Sequence, residues 1–187
     1  MGNRGCLHDE ARRIVRPFVG GYRAWVTCVL SFKGRRRRVM TPGRYTELFF
    51  LDEATALAAG HRPCAECRRD RFDAFRRAWP SVGPLTAPQI DDRLHAERIA
   101  PDGSKRTYPA NLDELPDGVF VREPGRGEDV YLLWNGGLLA WTAGGYTARI
   151  VRPTGVEVEV LTPAPTVRAI RAGYVPDVHP SARESSR

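Results

Sequence analysis

Apolar and polar positions alternate over residues 14–18 and 22–32, which predicts two strands turned at Gly20-Gly21. In the second strand Ala24, Val26, Cys28, Leu30 and Phe32 share one face, and Trp25, Thr27 and Val29 the other. Lys33-Gly34 predicts a turn, residues 35–40 a charged third strand, and Thr41-Pro42-Gly43 a break before a short apolar strand over 45–51. The period then lengthens. Asp52 is a good N-cap for a helix over 53–59, with Gly60 placed to end it and Pro63 beyond. A second helix over 70–79 carries Phe72, Phe75 and Trp79 on one stripe and stops at Pro80. Residues 80–88 form a connecting loop, and Ile90, Leu94 and Ile99 mark a third helix over 89–99.

From there the chain turns β-rich. Residues 119–121, 130–134 and 138–142 read as strands, the last two joined by Asn135-Gly136-Gly137, a strong hairpin signal. Residues 156–161 alternate as a further strand and 165–173 read as a short helix. The pattern therefore predicts an α+β protein. Residues 1–80 form a small antiparallel sheet with helices, 85–180 a β-rich part with short helices, and 181–187 a frayed tail.

Composition changes this picture mainly through charge. The net charge is +7, and 27 of the 29 basic residues are arginine, with runs at Arg35-Arg36-Arg37-Arg38, Arg68-Arg69 and Arg76-Arg77. A positive excess gathered in residues 1–80 favours a polyanionic partner, nucleic acid first. No apolar run is long enough to cross a membrane, and the start of the chain has no apolar core for a secretory signal. These features predict a cytoplasmic, monomeric protein in which the four cysteines stay reduced and read as metal ligands or buried thiols. No phosphate-binding glycine loop, dinucleotide fingerprint or serine-nucleophile elbow occurs, so those chemistries lack support.

Chemistry concentrates in His61-Arg62-Pro63-Cys64-Ala65-Glu66-Cys67-Arg68-Arg69. A Cys-x-x-Cys turn aims two thiolates at one tetrahedral centre, with zinc–sulfur distances near ~2.3 Å, and neighbouring arginines favour the ionised thiols. A redox dithiol needs the motif inside a helix that follows a strand. Here a helix ends ahead of it, which favours zinc.

The run from Glu53 through Ala59-Gly60-His61-Arg62-Pro63-Cys64 to Cys67 resembles the second half of the Ada-type metal-binding domain. The family pattern is a helix ending in Ala-Gly, an aromatic or similar residue, Arg-Pro-Cys, two residues and Cys. The similarity is dense over residues 53–67 and extends over 22–80, leaving 85–187 outside it. It implies a zinc ion on four cysteines and contact with the DNA backbone, and in that family one ligand cysteine accepts a methyl group from a DNA phosphotriester. The family's upstream ligands form a Cys-x-x-x-Cys pair, whereas this chain has Cys28 and then Phe32. The broken pair favours metal and DNA contact over methyl transfer. Two ligand sets stay open: Cys6, Cys28, Cys64 and Cys67, or Cys6, His8, Cys64 and Cys67, with His61 a further candidate. The apolar face that carries Cys28 reads equally as a buried thiol.

These features predict a zinc-containing DNA-binding protein, in DNA repair, whose phosphate contacts come from Arg35, Arg36, Arg37, Arg38, Arg44, Arg68 and Arg69. The alternative is a hydrolase acting on nucleic acid. Glu47, which shares a face with Tyr45, Phe49 and Leu51, would then be the acid or base, with Asp9 a second acidic candidate. Trp134, Trp141, Tyr146 and Tyr174 could stack bases, but aromatics on strands are more often core.

Overall fold

A computed structural model describes residues 1–34, 38–123, 127 and 129–184. The fold is α+β, with two sheets and five helices among the described residues. The smaller sheet joins β1 (Gly2–Asn3), β2 (Val26–Thr27) and β3 (Arg62–Pro63) in that order. It is mixed rather than antiparallel, because β2 pairs antiparallel with β1 and parallel with β3. Most of the sequence-predicted strands of residues 14–51 are loops closed by single bridges, such as Gly2 to Leu48. The strand expected over 35–40 falls partly outside the described residues, and its remainder is turn.

Helix α1 (Glu53–Ala58) starts where the sequence predicts. Asp52 Oδ1 accepts the Thr55 N–H at 2.8 Å, while its Oδ2 accepts the Tyr146 hydroxyl at 2.7 Å and the His179 N–H at 3.0 Å. One carboxylate thus caps the helix and ties it to the second half of the chain. Gly60, at φ +80°, ends α1 in the left-handed conformation that glycine alone adopts freely. A Cβ there would lie 2.8 Å from Arg98 Cδ. The chain then runs straight into β3, and α2 (Arg69–Arg77) follows.

After α2 come α3 (Ala87–Arg98) and then strands β4 (Tyr108–Asn111), β5 (Phe120–Arg122), β6 (Tyr131–Trp134), β7 (Gly137–Thr142), β8 (Gly145–Val151) and β9 (Glu157–Val160). Helices α4 (Ala164–Arg171) and α5 (Ser181–Glu184) complete the fold, the latter where fraying was expected. The six strands form one antiparallel sheet in the order β4-β9-β5-β6-β7-β8. The β6–β7 turn has Asn135 at φ 49° and Gly136 at φ 72°, the two positive values a tight hairpin of this twist demands. Alternate residues bury both faces of the sheet. Val121, Tyr131, Leu133, Leu138, Val158 and Val160 pack with Phe72, Phe75, Ile90, Leu94 and Val167. Phe120, Leu132, Leu139 and Tyr146 meet Ala54 and Ala58 of α1 and Ala182 of α5 on the other side. No helix among the described residues is long and apolar enough to cross a membrane.

Buried ion pairs join the two sheets' surroundings. Arg62 on β3 makes a bidentate pair with Asp91 on α3, at 2.8 and 2.7 Å, with both side chains almost wholly buried. Glu53 at the start of α1 accepts Arg68 at 3.2 Å, Arg71 and the Asp177 N–H at 3.0 Å. His61 is fully buried between Trp25 and Phe50, with ring centroids 5.5 and 4.8 Å away. Burial, helped by the nearby positive charges of Arg4 and Arg98, holds its pKa well below 6.5, and the Ala59 and Ala56 carbonyls offset little of this.

Two outcomes follow for stability. Asp91→Ala leaves Arg62 charged and unpaired in the interior and should destabilise by about 3–5 kcal/mol in urea unfolding. His61 stays neutral in the fold but takes a proton in the unfolded chain below about pH 6.5, so acid favours unfolding. Stability should fall from pH 6.5 downward, by up to about 1.4 kcal/mol per pH unit, and His61→Leu should remove that part of the slope.

Candidate metal centre

The parallel pairing of β2 with β3 builds the centre. Thr27 stands opposite Pro63, and the Arg62 and Cys64 N–H groups donate to the Trp25 and Thr27 carbonyls, both at 3.0 Å. Pro63, which has no N–H, sits between these two donors, so the ladder loses nothing by it. Cys28 and Cys64, each one residue beyond this pair, are therefore brought side by side. The chain then turns, with the Arg68 N–H donating to the Cys64 carbonyl at 3.1 Å, and Cys67 comes round to the same spot. The sulfurs of Cys28, Cys64 and Cys67 all lie within 4.8 Å of one another, and the three could hold a metal ion. None is in a disulfide.

Electrostatics prepares one thiol more than the others. The Cys64 pKa is held down to about 5, first by a hydrogen bond from the Cys28 thiol, with further help from the Cys67 and Glu66 N–H groups, against the effect of burial. The Glu66 N–H lies 3.4 Å from Cys64 Sγ. Cys28 moves the opposite way, because its proton is held by Cys64 and burial adds to this. Burial pushes the Cys67 thiol up as well, partly offset by the Val29 N–H donating to it. The three thiols thus share their protons unequally, with Cys64 the most acidic, and a cation bound among them would displace the protons they hold.

The centre lines a cavity of about 890 Å³ whose walls include Val26, Leu30, Phe32, Val39, Tyr45 and Phe49. Met1, Asn3, Glu47 and Glu66 also line it. Leu30 is 77% exposed, Phe49 64% and Val39 46%, so the cavity has an open apolar rim. Of the two faces that the alternation predicts, Trp25 and Thr27 point into the interior, while Val26, Cys28, Leu30 and Phe32 face the cavity, which Val29 also lines. Cys28 is thus neither a core thiol nor remote from the pair.

The other sequence candidates lie as follows. Cys6 is outside the group; its thiol reaches the His8 carbonyl at 3.6 Å. His8 is buried, with Nδ1 2.6 Å from Thr46 Oγ1, and His61 stacks in the interior. Glu47 shares the cavity wall with Tyr45 and Phe49, as their spacing predicts, and accepts the Met40 N–H at 2.8 Å. Asp9 pairs with Arg13 at 2.8 Å. Among the arginines, Arg38, Arg44 and Arg69 are exposed, the first two next in sequence to the cavity residues Val39 and Tyr45. Arg68 is largely buried against Glu53 and Asp177. Arg35, Arg36 and Arg37 lie outside the described residues. Tyr146 and Tyr174 are core, and Trp134 and Trp141 pack half-buried against it.

Comparison with known protein families, curated proteins and solved structures finds no match to this chain.

The geometry predicts the ligand set. Serine at 28, 64 or 67 should weaken metal binding by more than the roughly 10–100-fold that loss of an outer-shell partner brings. Cys6→Ser should leave it unchanged, as read by metal analysis after dialysis against a competing chelator.

Proposed function

We propose that the protein is a zinc-containing DNA-binding protein that works in DNA repair. The observation that carries this is the meeting of Cys28, Cys64 and Cys67 at one point, beside a cavity with exposed arginines next to its walls. Three thiol donors suit a borderline-soft, redox-inert cation, and zinc is the cation that sulfur sites of this kind take. Bound there, it supplies a rigid cross-link between β2 and the turn ahead of α2. The resemblance of residues 53–67 to Ada-type domains points the same way, with the family's methyl-accepting cysteine falling on Cys28. That chemistry is not part of the reading, because Phe32 stands where the family has its paired ligand.

Arg38, Arg44 and Arg69 are the phosphate contacts, since each is exposed. Arg68 acts differently from its expected role. Held at 3.2 Å from Glu53 and 3.1 Å from Asp177, it positions the turn that carries Cys67 and leaves Arg69 to face the backbone.

A second reading, hydrolysis of nucleic acid, is favoured by one observation: Glu47 lines the cavity that the three cysteines line. There it would take or give the proton.

DNA binding measured by fluorescence anisotropy should weaken steeply with salt, the mark of displaced counterions. Arg44→Ala and Arg69→Ala should each lower the log–log salt slope by about one. Absence of binding at low salt, or a flat salt dependence, would sink the first reading. For the second, strand cleavage or base release should vanish in Glu47→Gln with the thermal transition retained, and a wild-type protein that releases neither product removes it.

A further inference from the structure

Arg4, next after β1, has no hydrogen bond or ion pair among the described residues, and its Nε is buried without a partner. Its guanidinium lies over the Trp25 ring, 4.8 Å from the centroid, and that of Arg98 lies 3.9 Å from the same centroid. Lys105, bridged to Ile99 just past Arg98, reaches in from the surface and donates to the Ala58 carbonyl at 2.6 Å. Arg98 donates to the Gly60 carbonyl at 2.9 Å. Three cations thus gather near the end of α1, where carbonyl dipoles meet them with partial charges only. We infer that Arg4, Arg98 and Lys105 form a binding site for a doubly charged phosphate group. This rests on neither the metal nor the DNA reading.

Charge balance carries the inference. Asp91 is engaged by Arg62, Asp92 by Arg23 at 2.9 Å, and Glu159 by Thr107 and Arg122 at 2.7 and 2.8 Å, so the carboxylates around the group are taken. Burial lowers the pKa of Arg98 to about 9 and that of Lys105 to about 8, and at both the Arg4 charge adds to the effect, with Asp91 and Glu159 opposing it only in part. Cations removed from water and facing one another are costly until an anion joins them. Chemistry selects the anion. The N–H donors of Arg4 are all unused, and their planar fork matches two oxygens of a phosphate. Three positive charges favour a dianion. Inorganic phosphate and phosphate monoesters carry that charge near neutral pH, whereas carboxylates and backbone phosphodiesters do not.

The test follows the thermal transition of the full chain at constant ionic strength and about pH 7.5, where phosphate is largely doubly charged. Inorganic phosphate should raise the midpoint saturably, and acetate at the same concentrations should not. Arg4→Gln should raise the half-saturating phosphate concentration at least about tenfold. Without phosphate its midpoint should match or exceed that of the wild type, because an uncompensated charge has gone. Lys105→Gln, at an exposed position, should raise the half-saturating concentration about threefold. A 5′-phosphorylated oligonucleotide that binds better than its unphosphorylated twin, with the preference lost in Arg4→Gln, assigns the group to a nucleic-acid end. Equal binding of the two, beside a phosphate response, assigns it to a small phosphate. No saturable phosphate response, or an equal response to acetate, would overturn the site, as would a response that both variants keep in full. An Arg4→Gln midpoint lowered in phosphate-free buffer would make Arg4 a packing residue on Trp25 and overturn the inference as well.

Discussion

Two rungs of parallel β-pairing hold the candidate centre together. Where Arg62 and Cys64 donate to Trp25 and Thr27, the chain segment bearing Cys28 is fixed against the Cys-x-x-Cys turn across a long loop. So short a ladder has little strength of its own, and the surrounding structure holds it in place. Gly60 turns the chain out of α1 into β3, and the bidentate Arg62–Asp91 pair clamps β3 to α3. Glu53 then gathers Arg68, Arg71 and the Asp177 backbone, so the far side of the turn is fixed to the C-terminal segment. The three-cysteine cluster is thus framed by elements from both halves of the chain.

Arginine does two jobs in this protein. In the interior its fork of donors satisfies several acceptors at once. Arg98 donates to the Gly60 and Arg23 carbonyls while its guanidinium lies 3.9 Å from the Trp25 ring centroid, and burial lowers its pKa to about 9. Arg62, Arg68 and Arg71 serve as ion-pair braces. At the surface, Arg38, Arg44 and Arg69 are exposed to solvent. A cluster of positive charge in the sequence is therefore not a cluster on the surface, and Arg68 and Arg69, adjacent in the chain, have opposite fates.

The cavity next to the cysteines arises from the same division of faces. Because Trp25, just ahead of β2, and Thr27 within it point inward, the alternate set that includes Cys28 is turned outward, where Phe32, Tyr45 and Phe49 join it. An apolar surface thus lies open beside the three cysteines, with Glu47 in its wall. It also explains why Phe32 can stand where a fourth thiolate is expected: there it serves as wall.

The sequence by itself determined the features that rest on neighbours along the chain. Asp52 and Gly60 bound α1, Phe72 and Phe75 mark the buried stripe of α2 with Trp79 buried just past its end, and Asn135-Gly136 makes the hairpin turn. The Cys64/Cys67 pair was legible for the same reason, since a turn of two intervening residues brings both sulfurs together without outside help. Tertiary structure alone decided what depends on distant segments. It chose Cys28 as the third member, because alternation reveals that two faces exist but not which one meets the core. It left Cys6 at the His8 carbonyl and His8 against Thr46, and it separated brace arginines from surface ones through partners as remote in sequence as Asp91 and Asp177. Strands β4 and β8 gave little local signal, being set by pairing with β9 and β7, and the short elements of residues 14–51 became loops because few sheet partners reach them.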